Sequence, residues 1–208
     1  GMLAALSSPS SGSKVAVVGA TGKVGRLAVQ ELVQRGCTAR VLLREAASSA
    51  TDTQTSVPTA DSEPNDVRAW YASNPEGVET VDGDVTNRES LDELLKGCSA
   101  VLALHGARRT RKVSDLWSDS TLDPTHSKNV NYEGVRNLIS AARASNSCKR
   151  IVRLTGKGET PWSIFSILIN GLGSMAKAWN YEGENLLRAC DDLEYTIVRP
   201  GVMRGDEN

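Results

Sequence analysis

Residues 14–29 read KVAVVGATGKVGRLAV, a β-branched apolar run that passes through three glycines into a helical pattern. The continuous run Val15 to Val18 predicts a strand buried on both faces, as in a parallel sheet. Glycines allow a sharp turn, the approach of a phosphate group to the backbone, and close packing of helix on strand. The stretch therefore predicts a strand, a tight turn and a helix whose N-terminus can bind an anion. The helix is expected to bury a stripe formed by Val24, Leu27, Ala28, Glu31 and Leu32.

The glycines are spaced G-x-x-G-x-x-G. The loop GATGKVGR, residues 19–26, resembles that of the extended and atypical short-chain dehydrogenase/reductases, particularly their NmrA-like NAD(P)-binding branch. This resemblance implies that the loop binds a dinucleotide. The alternative is a glycine turn that serves packing alone. The residues expected to contact the cofactor here are Gly19, Thr21, Gly22, Lys23, Val24 and Gly25.

Length and composition suit one intracellular, soluble domain. The chain has 208 residues, with 24 basic and 25 acidic side chains, so no overall charge favours nucleic acid or an anionic membrane. Its four cysteines are widely separated and show no metal-ligand spacing, which indicates free thiols in a reducing compartment. There is no apolar run long enough to span a membrane. We expect residues 1–13 to be a disordered N-terminal segment and residues 14–208 to be the folded domain.

The residue after the second predicted strand bears on cofactor choice. Thr38 to Leu43 form that strand, and Arg44 follows it. In Rossmann domains that prefer NAD, an acidic residue here binds the ribose hydroxyls, whereas an arginine accommodates a 2′-phosphate. Arg44, helped by Lys23, therefore favours NADP(H). The alternative is a solvated arginine at a strand end.

Strand and helix patterns alternate along the rest of the chain. They predict a single-domain α/β fold, a doubly wound parallel Rossmann sheet of order 3-2-1-4-5-6 with its ligand beside strands one and four. Thr86 to Glu89 match a capping box, and Trp70 is the expected anchor of a short helix. The other predicted strands are 78–81, 100–104, 151–154 and 195–198, and the other helices cover 65–73, 130–144 and 178–191.

The resemblance also assigns roles beyond the glycine loop. It places Asp84 and Val85 at the adenine and the His105-Gly106 segment beneath the cofactor. Thr155 corresponds to a residue that can bond a substrate carbonyl, and Pro200 and Gly201 shape the backbone near the nicotinamide. His105 as a general acid and His105 as a structural residue both remain open.

The expected catalytic pair is missing. Catalytic members of the superfamily use Tyr-x-x-x-Lys, and an alignment on residues 184–187 places Ala176 and Asn180 in those positions. Lys177 and Tyr181 lie one helical turn apart in the opposite order, as an alternative acid or a surface pair. We therefore predict NADP(H) binding with weak or absent reductase activity. The alternative is an active NADP-dependent reductase or isomerase that uses Thr155, Tyr181 or Lys177 on an unknown small molecule.

The apolar stretch Trp162 to Met175 is a candidate core helix, substrate lid or protein-docking surface. Chloroplast proteins of import, photosystem assembly and translation resemble this branch. They suggest a third function, a non-catalytic cofactor-sensing scaffold in the chloroplast, with the cytoplasm as the alternative location. The sequence stops soon after Arg199-Pro200-Gly201, where family members continue, so we expect most of the C-terminal substrate-binding part to be absent.

Overall fold

The computed structural model describes residues 10–44, 64–73, 75–107, 123, 125–156 and 175–201. Strands and helices alternate through these ranges, and a π-helical turn at Asn129–Glu133 leads into the fourth helix. The elements are β1 (Lys14–Val18), α1 (Lys23–Gln34), β2 (Thr38–Leu43), α2 (Pro64–Ala72), β3 (Val78–Asp82), α3 (Arg88–Leu94), β4 (Ala100–Ala103), α4 (Gly134–Ala144), β5 (Arg150–Leu154), α5 (Ala176–Arg188) and β6 (Glu194–Val198).

The six described strands form one parallel sheet of order β3-β2-β1-β4-β5-β6, which confirms the predicted topology. The apolar run of β1 is buried on both faces, because Val15 and Val17 pack under α1 and α2 while Ala16 and Val18 face α3 and α4. All strands run the same way, so their carboxyl ends share one edge of the sheet. That edge is where open α/β sheets bind ligands.

The buried face of α1 differs from the predicted stripe. Leu27 is 54% exposed, whereas Val29 and Leu32 are buried together with Gly25. The reason is a close approach of backbones: a Cβ added to Gly25 would overlap the carbonyl oxygen of Gly19 and lie 2.7 Å from the Cα of Ala20. The helix must turn its glycine toward the strand, and this rotation moves Leu27 to the solvent side.

The N-cap of α3 also differs from the predicted capping box. Asn87 is the cap, and its Oδ1 accepts hydrogen bonds from the backbone N–H groups of Glu89 (2.8 Å) and Ser90 (3.4 Å). The Thr86 hydroxyl instead donates to Asp84 Oδ1 at 2.7 Å. Because the Asp84 carboxylate accepts the Thr86 hydroxyl, Thr86 does not cap the helix, and Asn87 does.

Several predictions fall outside the described residues. They concern most of the N-terminal segment, the insertion at 45–63, the basic run at 108–112, and the apolar stretch Trp162–Met175 apart from its last residue. In the part of the chain that is described, no helix is long and apolar enough to cross a membrane.

The four cysteines are free thiols, as predicted, and the structure shows in addition that they are buried. Burial raises the pKa of Cys98 and of Cys148 to about 11. We expect both to react with iodoacetamide at pH 7.5 at least about 100-fold more slowly than an exposed thiol, since the thiolate is the reactive form. Mass spectrometry of the native protein, with a guanidinium-unfolded sample as control, measures these rates. Alkylation of the native protein as fast as of the unfolded one would contradict the assignment.

Candidate functional site

The glycine loop between β1 and α1 lies against the end of β4. Gly19 has φ +90°, and an added Cβ would lie 2.7 Å from the backbone nitrogen of His105. Gly22 is exposed, and a Cβ there would meet only the carbonyl oxygen of Gly19, at 3.4 Å. The loop is thus closed toward the sheet by Gly19 and open toward solvent at Gly22.

The N-terminus of α1 has the features of an anion site. Gly22 is the N-cap, no side chain caps the helix, and its first turn contains no acidic residue. The first intrahelical bond runs from Arg26 N–H to Gly22 O, so the backbone N–H groups of residues 23–25 precede it. Such amides, at the positive end of the helix dipole, bind phosphate groups. The side chains of Thr21 and Val24 are half-buried beside them, and that of Lys23 is exposed.

Two buried side chains that sequence reasoning missed brace the loop. The Tyr71 hydroxyl donates to Ala20 O at 3.2 Å, and Arg26 Nε donates to Thr21 O at 3.1 Å. Burial raises the pKa of Tyr71, so its hydroxyl stays protonated as a donor. Tyr71 is 1% exposed, and Trp70, the predicted anchor, is only half-buried against it.

Arg44 and Asp84 meet at the carboxyl ends of β2 and β3. Arg44 Nε lies 3.9 Å from Asp84 Oδ2, and the two side chains are 64% and 34% exposed. An exposed pair at this distance contributes little stability, so Arg44 can turn to a ligand at small cost. Asp84 Oδ1 is held by the N–H and hydroxyl of Thr86, and Val85 beside it is buried.

A buried asparagine positions the segment after β4. Asn131, 1% exposed on the π-helical turn, accepts from Ala107 N–H at 2.9 Å and donates to Ala176 O at 3.4 Å. It thereby joins the His105-Gly106 segment to the start of α5. Its polar side chain on an otherwise apolar helix face is the sequence signal that could have found it, and π-helical turns are frequent at functional sites.

His105 lies at the centre of this edge. Both of its ring nitrogens are buried and have no hydrogen-bond partner among the residues described. Burial, followed by the charge of Arg153, holds its pKa well below the usual range. The Val130 backbone is near enough to oppose this shift without reversing it, and the imidazole is therefore neutral at physiological pH.

Thr155 is engaged by a buried carboxylate. Its hydroxyl donates to Glu184 Oε1 at 2.6 Å, and the same carboxylate accepts from Arg188 (2.8 Å) and from Arg199 Nε (3.0 Å). Burial alone would raise the pKa of Glu184, but the hydrogen bonds from Arg199, Thr155 and Arg188 hold it below its ordinary value. This cluster fastens the ends of β5 and β6 to α5.

The structure places the other predicted residues around α5. Ala176 is its first residue, and the Asn180 side chain accepts a hydrogen bond from Arg153. Lys177 and Tyr181 are half-buried one turn apart on this helix. Pro200 and Gly201 follow β6, at the same edge of the sheet as the glycine loop.

The described residues contain no cluster of metal-ligating side chains. A depression of about 380 Å³ lies at the opposite edge of the sheet, between the ends of α3 and α4, away from all of the predicted site residues. The glycine loop and the His105-Gly106 segment lie instead at the carboxyl ends of the strands, where the strand order reverses between β1 and β4.

Residues 19–208 match the model of a protein family described as NAD(P)H-binding. The chain is 26% identical over 189 residues to the chloroplastic protein TIC 62 of Pisum sativum, a match that covers 91% of this chain and 32% of that protein. It is 27% identical over 191 residues to the ceramide reductase of Caulobacter vibrioides, covering 92% of this chain and 46% of the reductase. The chain thus spans less than half the length of either relative.

Among solved structures, a short-chain dehydrogenase/reductase of Veillonella parvula in complex with NADP superposes with a TM-score of 0.56 at 13% sequence identity. The match covers 90% of this chain and 68% of that one. At this identity the likeness establishes a shared fold.

Proposed function

The chain belongs to the NAD(P)H-binding family, and on that premise we propose that it binds NADP(H) in preference to NAD(H) and has weak or absent intrinsic reductase activity. The observation that carries the preference is Arg44, a 64% exposed cation at the carboxyl end of β2. An arginine at this position suits the additional 2′-phosphate of NADP(H), and an acidic residue would suit the free hydroxyls of NAD(H).

The geometry of the glycine loop supports the dinucleotide itself. Gly19 and Gly25 are held in contacts that leave no space for a Cβ, while Gly22 leaves the uncapped end of α1 open. A pyrophosphate fits this cradle, with the N–H groups of residues 23–25 as donors. Asp84 and Val85 then line the adenine side. When bound, the nicotinamide supplies hydride chemistry, and the residues of this chain bind and orient it.

The positions of the expected catalytic pair, and Thr155, offer little acid–base chemistry. Ala176 has no proton to transfer, Asn180 carries an amide, and the Thr155 hydroxyl already donates to Glu184. Reduction of a carbonyl also needs a proton donor. These side chains support binding without efficient turnover. Steady, substrate-dependent NADPH oxidation that disappears in Tyr181→Phe would overturn this part of the proposal.

Calorimetric titration of the purified chain with NADPH and with NADH tests the binding. We expect NADPH to bind at least tenfold more tightly than NADH. Failure of both dinucleotides to bind would overturn the proposed function, and equal affinities would overturn the preference alone.

Arg44→Ala is expected to remove that preference. Loss of a charge-assisted hydrogen bond costs about 1.5–3 kcal/mol, so NADPH should bind roughly 10- to 100-fold more weakly while NADH changes by less than about threefold. The matched control is Arg35→Ala, which removes an exposed arginine just beyond the other end of α1 and should leave both affinities unchanged. A parallel loss for NADPH and NADH in Arg44→Ala would contradict the assignment.

We also propose a chloroplast location, which the similarity to the chloroplastic TIC 62 supports. Immunodetection of the protein in isolated organelles tests it. Detection in the cytosolic fraction alone would overturn it.

A further inference from the structure

The side chain of Arg153, in β5, is a buried cation that the proposed function leaves unused. It is 1% exposed, and burial lowers its pKa to about 10. Its Nη1 donates to the backbone oxygens of Ala103 (3.2 Å) and His105 (2.7 Å), and its Nη2 donates to Asn180 Oδ1 at 3.0 Å. None of the ion pairs among the described residues includes it. A buried guanidinium costs stability relative to an apolar side chain, and the charge of the buried Glu184, which raises the pKa of Arg153 against the effect of burial, offsets part of that cost.

These bonds fix the orientation of the Asn180 carboxamide. A guanidinium has only donors, so the carboxamide must turn its oxygen toward Arg153 and its nitrogen away. Among the described residues, the Asn180 side chain is recorded only as accepting from Arg153, and its two N–H donors have no partner there. An asparagine carboxamide can face either way. By binding its oxygen, Arg153 fixes the direction in which the amide nitrogen donates.

The same guanidinium connects this donor to the glycine loop. It binds the carbonyl oxygen of His105, and the backbone nitrogen of His105 is the atom that excludes a side chain from Gly19. A chain of contacts therefore links the glycine loop to α5, from Gly19 through His105 and Arg153 to Asn180. It crosses the place between β1 and β4 where the strand order reverses. The ring of His105 lies at the same place, where its two buried nitrogens make no hydrogen bond of ordinary geometry to a described residue, although the Val130 backbone is near enough to raise its pKa.

We propose that Arg153 is a positioning residue that holds Asn180 as a fixed hydrogen-bond donor to the nicotinamide half of the dinucleotide, its ribose hydroxyls and carboxamide. This inference rests on the proposed function. A neutral amide at this place can hold an acceptor but cannot carry a proton. Binding of the nicotinamide half is thereby separated from proton transfer.

Calorimetry with two probes tests the inference. NADPH contains the nicotinamide half, and adenosine 2′,5′-bisphosphate lacks it. Asn180→Leu should weaken NADPH binding about tenfold and change the bisphosphate by less than twofold. Arg153→Met should do the same, and the double variant should be no weaker than either single one, because both changes remove the same donor. Asn185→Leu, five residues further along α5, is the control and should match the wild type.

A second measurement needs no variant of Arg153. The side-chain amide signals of Asn180, assigned in a ¹⁵N spectrum by their loss in Asn180→Leu, should shift with NADPH and stay in place with the bisphosphate. Three results would overturn the inference and leave the proposed function standing. They are an unchanged NADPH affinity in Asn180→Leu, equal losses of affinity for both probes, and amide signals that do not shift when NADPH is added. Failure of both probes to bind the wild type would overturn the proposed function and this inference with it.

Discussion

Replacing Gly25 with alanine is expected to destabilise the domain by about 3 kcal/mol or more, which lowers its melting temperature by roughly 6–12 °C. The new Cβ would overlap the carbonyl oxygen of Gly19 and approach the Cα of Ala20, and both are backbone atoms that cannot move aside alone. Helix α1 would have to leave β1, and Val29 and Leu32 on its buried face would lose contacts. Thermal unfolding followed by circular dichroism measures the loss.

Gly22→Ser is the matched control in the same loop, and its expected effect is the opposite one. Gly22 has the extended backbone of an N-cap, with φ −76° and ψ 161°, so serine fits without strain. Its hydroxyl can cap α1, and we expect stability to stay equal or rise by a few tenths of a kcal/mol. The same hydroxyl would occupy amides that the pyrophosphate needs, so NADPH affinity should fall at least tenfold. If Gly22→Ser bound NADPH normally, the phosphate would not lie at this helix end.

The contrast between Gly25 and Gly22 separates two properties of the loop, the packing of α1 on β1 and the binding of a phosphate group. The sequence alone does not separate them. The spacing of the glycines predicts a tight strand–helix junction, and the structure confirms that junction. It does not reveal that Gly25 meets backbone whereas Gly22 meets solvent. That difference depends on the rotation of α1, which also turns Leu27 outward against the predicted stripe.

The topology was predictable because it follows from local signals. An apolar run buried on both faces, helices between strands, and right-handed crossovers leave few arrangements of six strands. Element ends were less predictable. The cap at Asn87 replaces the expected Thr86 because a side chain two residues earlier, Asp84, competes for the threonine hydroxyl.

The polar interior of the site was the least predictable part. Arg153 lies in a strand that also contains the arginine Arg150, and from sequence alone an arginine there is expected to be exposed. Its acceptors come from β4 and α5, about 50 and 27 residues away along the chain. Asn131 and Tyr71 were missed for the same reason, because their partners are brought together only by the fold.

Glu184→Gln is expected to destabilise the domain by about 2–3 kcal/mol at pH 7. The carboxylate is 3% exposed and pairs with Arg188 and Arg199, and removing one partner of a buried pair leaves the other charges uncompensated. The amide keeps the shape of the side chain and can still accept from Thr155. The loss therefore reports charge, and urea unfolding measures it.

The pH dependence of this loss identifies its origin. The folded-state pKa of Glu184 lies below its unfolded value of about 4.3, so the carboxylate stabilises the fold above that pH, and the contribution is lost as pH falls through the folded-state pKa. The difference between wild type and Glu184→Gln should be constant from pH 6 to 8 and shrink below about pH 4. Glu182→Gln, an exposed neighbour on α5, should stay within about 0.5 kcal/mol of wild type throughout. A loss that is equal at every pH would show that it does not come from the ionisation of this carboxylate. A Glu184→Gln variant as stable as the wild type would show that the charge of this carboxylate contributes nothing to holding β5 and β6 on α5, and that its pairs with Arg188 and Arg199 do not stabilise the fold.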